Sequence, residues 1–186
     1  MDLEKIITGV KLIPMSSLEK LRKITTEKKF FKGDFLFHEG KVNNNIYFIS
    51  KGIARAFVHH EHREVIFWFA QEGDPLLSIQ SYVDNLPGYE NIELLEDCIL
   101  FQLKKDDLEK LYNEDIYLAN WGRRLADKYF VDTEKRLISR QFKSSTERYQ
   151  ELSETQPDLF KRVQLKLIAS YLGMTQVTLS RIRAKR

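Results

Sequence analysis

One cysteine, Cys98, in 186 residues excludes an intramolecular disulfide, a four-thiolate zinc site and an all-cysteine iron–sulfur cluster. No apolar run approaches the length of a bilayer span. The start, Met1-Asp-Leu-Glu-Lys-Ile-Ile, is charged and lacks the basic-then-apolar order of a secretory signal. A cytoplasmic protein with no membrane partner is expected. Two further shortages are local. Between Glu64 and Leu103 there is no Lys or Arg, while Glu64, Glu72, Asp74, Asp84, Glu90, Glu93, Glu96 and Asp97 all fall there. Between Lys161 and Arg186 there is no Asp or Glu, while Lys161, Arg162, Lys166, Arg181, Arg183, Lys185 and Arg186 all fall there. The chain has 30 basic and 27 acidic residues, so everything before Lys161 is net negative and the excess of base sits at the end.

What is present begins with a short amphipathic lead-in helix over 16–29, opened by Ser16 and Ser17 and carrying Leu18, Leu21 and Ile24. From Phe30 the pattern changes to short runs rich in β-branched and aromatic residues: 35–37, 46–49, 53–58, 65–69, 92–95 and 99–103. Turn residues separate them, including 59–63 and Asn85-Leu-Pro-Gly88. Strands this closely spaced predict an antiparallel sandwich or small barrel. The run Val65-Ile-Phe-Trp-Phe69 is apolar on both faces and should be covered on both. A helical period returns after Leu103, with Asp106 or Asp107 as a cap for a helix bearing Leu108, Leu111 and Tyr112. A longer helix follows from about 116 to 137. One stripe on it is Leu118, Gly122, Leu125 and Tyr129, and another is Ile116, Ala119, Ala126 and Phe130. Two stripes imply two partners, the chain's own β domain and a second helix. The 118/122/125/129 stripe has the four–three spacing of a parallel coiled-coil seam, so a homodimer through 116–137 is expected. The polar stretch 139–143 reads as a hinge, and Ser144-Ser-Thr-Glu147 has capping-box spacing.

Near the C-terminus two short helical patterns meet at Gly173. Ile168 and Leu172 precede it, Leu179 and Ile182 follow it, and Met174 fills the gap. Gly173 stands where a helix must end in the left-handed conformation, and Thr175 can cap a second helix from Gln176 to about Ala184. An αα-hairpin inside an ordinary core fits that apolar spacing as well as a helix-turn-helix does. The uncompensated basic charge favours the helix-turn-helix, because a polyanion releases counterions to such a surface. The expected fold class is α+β: an antiparallel sandwich or jelly-roll-like domain (1–110), a long dimerisation helix (111–138) and a small helix-turn-helix domain (139–186).

That order of parts resembles the Crp/Fnr family of bacterial transcription regulators. The resemblance rests on Gly33-Asp-Phe-Leu-Phe-His-Glu-Gly40 and Ile46-Tyr-Phe-Ile-Ser-Lys-Gly52, which are similar to the glycine-turn motifs of cyclic-nucleotide-binding domains, and on Leu167 through Arg183. It implies a non-enzymatic regulator that binds an inverted-repeat operator in double-stranded DNA as a homodimer, with RNA polymerase as a partner if it activates. By the same resemblance Gln176, Val177 and Arg181 occupy the base-reading positions. Val177 stands where glutamate is usual and suits a thymine methyl rather than cytosine. Thr175, Thr178, Lys166 and Arg183 are expected phosphate contacts. Cyclic-nucleotide binders in the family carry Gly-Glu-Leu and then an Arg-Ser or Arg-Thr that grips the cyclic phosphate. Here Gly73-Asp-Pro-Leu76 and Tyr89-Glu-Asn91 stand in those places, so cyclic AMP and cyclic GMP are not expected to bind. No catalytic residues, metal or cofactor are expected. The alternative is a cupin-like metal or small-ligand protein using His60 and His62 within His59-His-Glu-His62. The glutamate such a site needs would fall at Ile66 or Phe67, and a hairpin tip is expected there instead.

Overall fold

A computed structural model describes residues 1–61 and 63–184; His62, Lys185 and Arg186 lie outside the described residues. The chain opens with α1 (Leu3–Val10), capped by Asp2 accepting from the Lys5 amide, and α2 (Met15–Ile24). The predicted lead-in helix therefore stops short of 29. Thr26–Phe30 forms β1, an edge strand with almost all of its residues exposed, so it carries no apolar alternation to betray it.

Two four-stranded antiparallel sheets follow. One has the order β1-β8-β3-β6 and the other β2-β7-β4-β5, where β2 is Phe35–Phe37, β3 Ile46–Lys51, β4 Ala54–His60, β5 Arg63–Ala70, β6 Pro75–Leu76, β7 Asn91–Leu94 and β8 Cys98–Leu103. A short helix, α3 (Ile79–Asp84), lies between β6 and β7. The inner faces of the sheets meet around Tyr47, Ile49, Ala54, Leu76, Leu94 and Leu100. Gly52 bridges β3 and β4 with φ +115°, and a Cβ there would lie 2.3 Å from Cys98 Sγ, so only glycine fits. Cys98 is buried beneath it, and burial pushes its thiol up to about 11. It is a packed core residue. β4 and β5 form the predicted hairpin, with Glu61 at φ 56° in its tip. A bulge shifts the register between Ala56 and Phe57, so Ile66 and Phe69 of β5 turn to one side although three apart. Phe67 and Trp68 pack against the sandwich, and Ile66 and Phe69 against the C-terminal helices. The expected two-sided cover of this strand is present.

Beyond the sheets run α4 (Lys105–Glu114) and α5 (Ile116–Phe142). Lys104 takes the N-cap place of α4, with Asp106 and Asp107 inside its first turn, where they favour the helix dipole without capping it. Asp115 joins the two helices. It is buried, caps α5 through the Tyr117 and Leu118 amides, and holds α2 through Ser17 and Lys20. These bonds keep its carboxyl below the usual range, the Lys20 ammonium first among the causes that lower it.

The two stripes on α5 are the reverse of expectation. Leu118 is buried with Trp121 against α1, α2 and β3, Gly122 lies against the Tyr112 ring, and Leu125 packs on the same cluster. Tyr129 stacks on Trp68 at 4.8 Å and donates to Pro75 O. The seam-like stripe thus faces the chain's own β domain, while Ile116 and Phe130 are 68% and 72% exposed. Spacing fixes that a face is apolar but not what covers it. The polar stretch 139–143 also stays helical through Phe142: Ser139 and Lys143 both bond Glu151, which keeps the last turn of α5 against the next helix. The chain breaks only at Lys143 and Ser144. The remaining helices are α6 (Ser145–Thr155), α7 (Leu159–Arg162), α8 (Leu165–Tyr171) and α9 (Gln176–Ala184). Among the described residues no helix is long and apolar enough to cross a membrane.

Candidate nucleic-acid interface

The turn between α8 and α9 is closed by two backbone bonds, from the Met174 amide to Ala169 O and from the Gly173 amide to Ser170 O. This is a Schellman arrangement, which needs a left-handed residue, and Gly173 supplies it at φ +67°. Thr175 Oγ1 then accepts from the Thr178 amide at 3.1 Å and lies 2.9 Å from the Thr178 hydroxyl. The turn and the start of α9 are therefore built by Gly173 and Thr175, both of which the sequence singled out. Leu179 is fully buried among Tyr149, Leu152, Ile168 and Ala169, with Ile182 packed beside it. That anchoring leaves Gln176, Val177 and Arg181 on the exposed side of α9, Val177 at 60% exposure. Thr175, Lys166 and Arg183 are exposed too, and Thr178 is partly so. Lys166, Arg181 and Arg183 make no ion pair among the described residues. The expected base-reading and phosphate-binding groups thus share one accessible, electropositive end of the molecule.

Not every basic residue of that end is free. Arg162 forks onto two carboxylates of the β domain, with Nη1 and Nη2 on Glu72 at 3.0 and 2.8 Å and Nε and Nη2 on Glu96 at 2.9 and 2.6 Å. The guanidinium holds the Glu72 carboxyl down to about 2. Beside it Ser170 Oγ donates to Glu64 O and accepts from the Ile66 amide, and Tyr171 lies on Phe69. Arg136 of α5 sits between the rings of Trp68 and Tyr171, 4.6 and 4.7 Å from their centroids. The helix-turn-helix is thereby docked on β5. Sequence reading gave Arg162 to the polyanion. The signal that places it otherwise is the acidic stretch 64–103, which holds eight carboxylates and no Lys or Arg.

Glu72 stays charged in the docked state to well below the value near 4.5 of a free carboxyl, so the stabilisation it lends is complete above about pH 4.5 and is lost as pH falls toward 2. Tryptophan fluorescence should report release of the helical head across that window. Arg162→Ala should remove the step and cost about 1–2 kcal/mol of stability, allowing for the partial exposure of all three side chains. An identical acid profile in the variant would show that the fork does not hold the head.

A cavity of about 750 Å³ lies between the β domain and α5, walled by Phe67, Trp68, Leu76, Tyr89, Tyr129 and Phe130 among others. It adjoins the segments that grip cyclic phosphates in the resembling family. Here Asp74 is turned back to accept from the Gln71 amide, and burial raises its carboxyl. Glu90 is only 4% exposed in the wall, and its Oε2 has no partner among the described residues. Arg55, in β4 of the same sheet, is committed to Glu64 and Glu93. Among the described residues the cations lining the cavity are Arg136 and Arg140, both of α5. Among the described residues, none of the β domain's lining residues is a Lys or Arg that could supply a charge-assisted donor to a cyclic phosphate.

His59 and His60 are exposed at the β4–β5 hairpin, with His59 Nδ1 3.5 Å from Glu39, and His62 lies outside the described residues. No group of three metal-ligating side chains comes together among the described residues.

Residues 27–115 match the cyclic nucleotide-binding domain family. No curated protein matches the chain by sequence. Among solved structures it is similar to FixK2 from Bradyrhizobium japonicum, with 19% identity, TM-score 0.73 and coverage of 87% of this chain and 84% of that one. It is also similar to the c-di-GMP responsive global regulator CLP of Xanthomonas campestris, at 16% identity, TM-score 0.69 and coverage of 92% and 91%. A Eubacterium rectale protein assigned to the Crp/Fnr family of transcriptional regulators aligns at 15% identity, TM-score 0.70 and coverage of 93% and 83%. The cupin alternative finds no support in these likenesses.

Proposed function

From a chain that carries a domain of the cyclic nucleotide-binding family and the Crp/Fnr fold over most of its length, we propose a DNA-binding transcriptional regulator that acts as a homodimer and does not answer to cyclic AMP or cyclic GMP. The observation that carries this reading is α9: an exposed set of Gln176, Val177, Arg181 and Arg183, without an ion pair among the described residues, mounted on a buried Leu179. Residues 1–110 serve as the sensing domain, 111–138 as the dimerisation helix and 139–186 as the reading head. Arg181 pairs with guanine O6 and N7, Gln176 with adenine, and Val177 meets a thymine methyl. Lys166, Thr175, Thr178 and Arg183 meet phosphates. Pairing uses the exposed stripe of α5: Ile116, Ala119, Arg123, Ala126, Phe130, Thr133 and Leu137 alternate by three and four, which is the seam of a two-stranded coiled coil. Such a dimer reads an inverted repeat with half-sites about 34 Å apart, in the cytoplasm, and contacts RNA polymerase if it activates.

Selection of bound sequences from a random DNA pool, with no effector added, tests DNA binding and symmetry together. An inverted repeat is expected, and a selected site without two-fold symmetry would count against the dimer. Arg181→Ala should then cost about 1–3 kcal/mol on the selected site and relax one base pair per half-site. Equal losses on selected and random DNA in a mobility-shift titration would remove Arg181 from base reading.

A further inference from the structure

We propose that Arg148 of α6 is a positioning residue that sets the angle between α5 and the recognition helix α9, and with it the spacing at which a dimer presents its two heads. The C-terminal ends of two helices meet at this one side chain. Its Nη1 donates to Lys143 O, at the C-cap of α5, at 2.6 Å. Its Nε donates to Leu172 O, at the C-cap of α8, at 2.9 Å. Its Nη2 donates to Ser145 Oγ at 3.4 Å, in the first turn of its own helix. The last carbonyls of a helix have no partner within it and carry the negative end of its dipole, so each favours a cation. The donors of a guanidinium lie in a rigid plane, so bonding both carbonyls at once fixes the distance and direction between them. Leu172 is buried and immediately precedes Gly173, the left-handed residue from which the chain turns toward α9. Two more groups of α5 meet the same turn. Arg140 Nη2 stands 2.9 Å from where a Cβ on Gly173 would be, and Arg136 lies over the Tyr171 ring. The β domain grips the head at other points, Arg162 and Ser170, both before the turn. Arg148 instead joins the turn to α5, the helix through which two copies pair in the proposed regulator.

The inference rests on the reading of the chain as a dimeric DNA-binding regulator and names a residue that sets its geometry. Its test compares the full-length parent with Arg148→Met and Arg148→Lys on duplexes built from the selected half-site. These are a single half-site, the inverted repeat at its selected spacing, and repeats lengthened or shortened at the centre by single base pairs. Mobility-shift titration gives the affinities, and far-ultraviolet circular dichroism checks that each variant folds. Arg148→Met keeps most of the apolar stem and removes every donor. It should bind a single half-site as the parent does, bind the repeat about tenfold or more weakly, and lose the preference for one spacing. Arg148→Lys can reach one carbonyl but not both, and should fall between the two. Should Arg148→Met unfold, a spacing preference broadened in Arg148→Lys supports the proposal and one as sharp as the parent's overturns it. A side chain that merely stabilised the head would weaken the single half-site and the repeat by the same factor. Equal losses of that kind, or an unchanged spacing preference in Arg148→Met, refute the proposal alone when the parent selects an inverted repeat. A parent that selects no such repeat refutes the regulator reading, and the proposal with it.

Discussion

Phe130→Glu combined with Leu137→Glu should yield a folded monomer that binds an inverted-repeat site about 100-fold more weakly, or worse, than the parent. Both side chains stand largely in solvent, at 72% and 58% exposure, so replacing them removes little that holds one chain together. Their loss is felt where a second copy would cover them. In the pairing register they occupy equivalent positions one heptad apart, and two glutamates facing two glutamates across a seam repel. Once the dimer is split each head binds alone, and the gain from tethering two half-site contacts disappears. Sedimentation equilibrium gives the state and a mobility shift the affinity. A variant that remains dimeric would place the interface elsewhere.

Trp121→Ala should destabilise the fold by about 3–5 kcal/mol, the range for deleting a large aromatic from a packed core. The indole is fully buried, and its Nε1 donates to Ile7 O at 2.9 Å. Its ring lies 6.0 Å from that of Phe48, so one side chain joins α5, α1 and β3. Alanine would leave a cavity and remove the indole's bond to Ile7 O, which keeps only the Lys11 amide as donor among the described residues. The denaturant midpoint should fall with an unchanged slope. A loss below about 1 kcal/mol would mean that α1 and α5 are held by other contacts.

Much of the fold was legible because several strands announce themselves in aromatic alternation and the turns between them in glycine and asparagine. The capping box at Ser144 and the Schellman glycine at Gly173 are local chemistry, and both form as the residues dictate. The strand Thr26–Phe30 was hidden because an edge strand needs no apolar face, and Pro75–Leu76 because two residues have no period. The helix Leu3–Val10 does carry its signal, Asp2 followed by Leu3, Ile6, Ile7 and Val10. Eight residues, however, make a helix only when something packs on them, and that partner lies more than a hundred residues away. Distance in the chain also hid the assignment of the α5 stripes and the fork of Arg162. In the candidate interface the residues of α9 could be placed from spacing alone, since Leu179 and Ile182 fix the buried side. The cavity could not, because Glu90 and Trp68 meet across a topology that no local pattern encodes.

At 27 residues α5 is about 40 Å long at 1.5 Å per residue. Leu118, Trp121 and Tyr129 clamp its first half to the β domain, and Arg136, Ser139 and Lys143 tie its second half to the head. It is a lever with its fulcrum at the cavity. A tilt of about 5° at the fulcrum, near Tyr129, moves the end of α5 at Phe142, about 20 Å away, by roughly 2 Å, about half the spacing of successive bases along a strand. In the proposed regulator, a ring shifting on Trp68 is a change of the size that would bear on how the recognition helix meets its half-site.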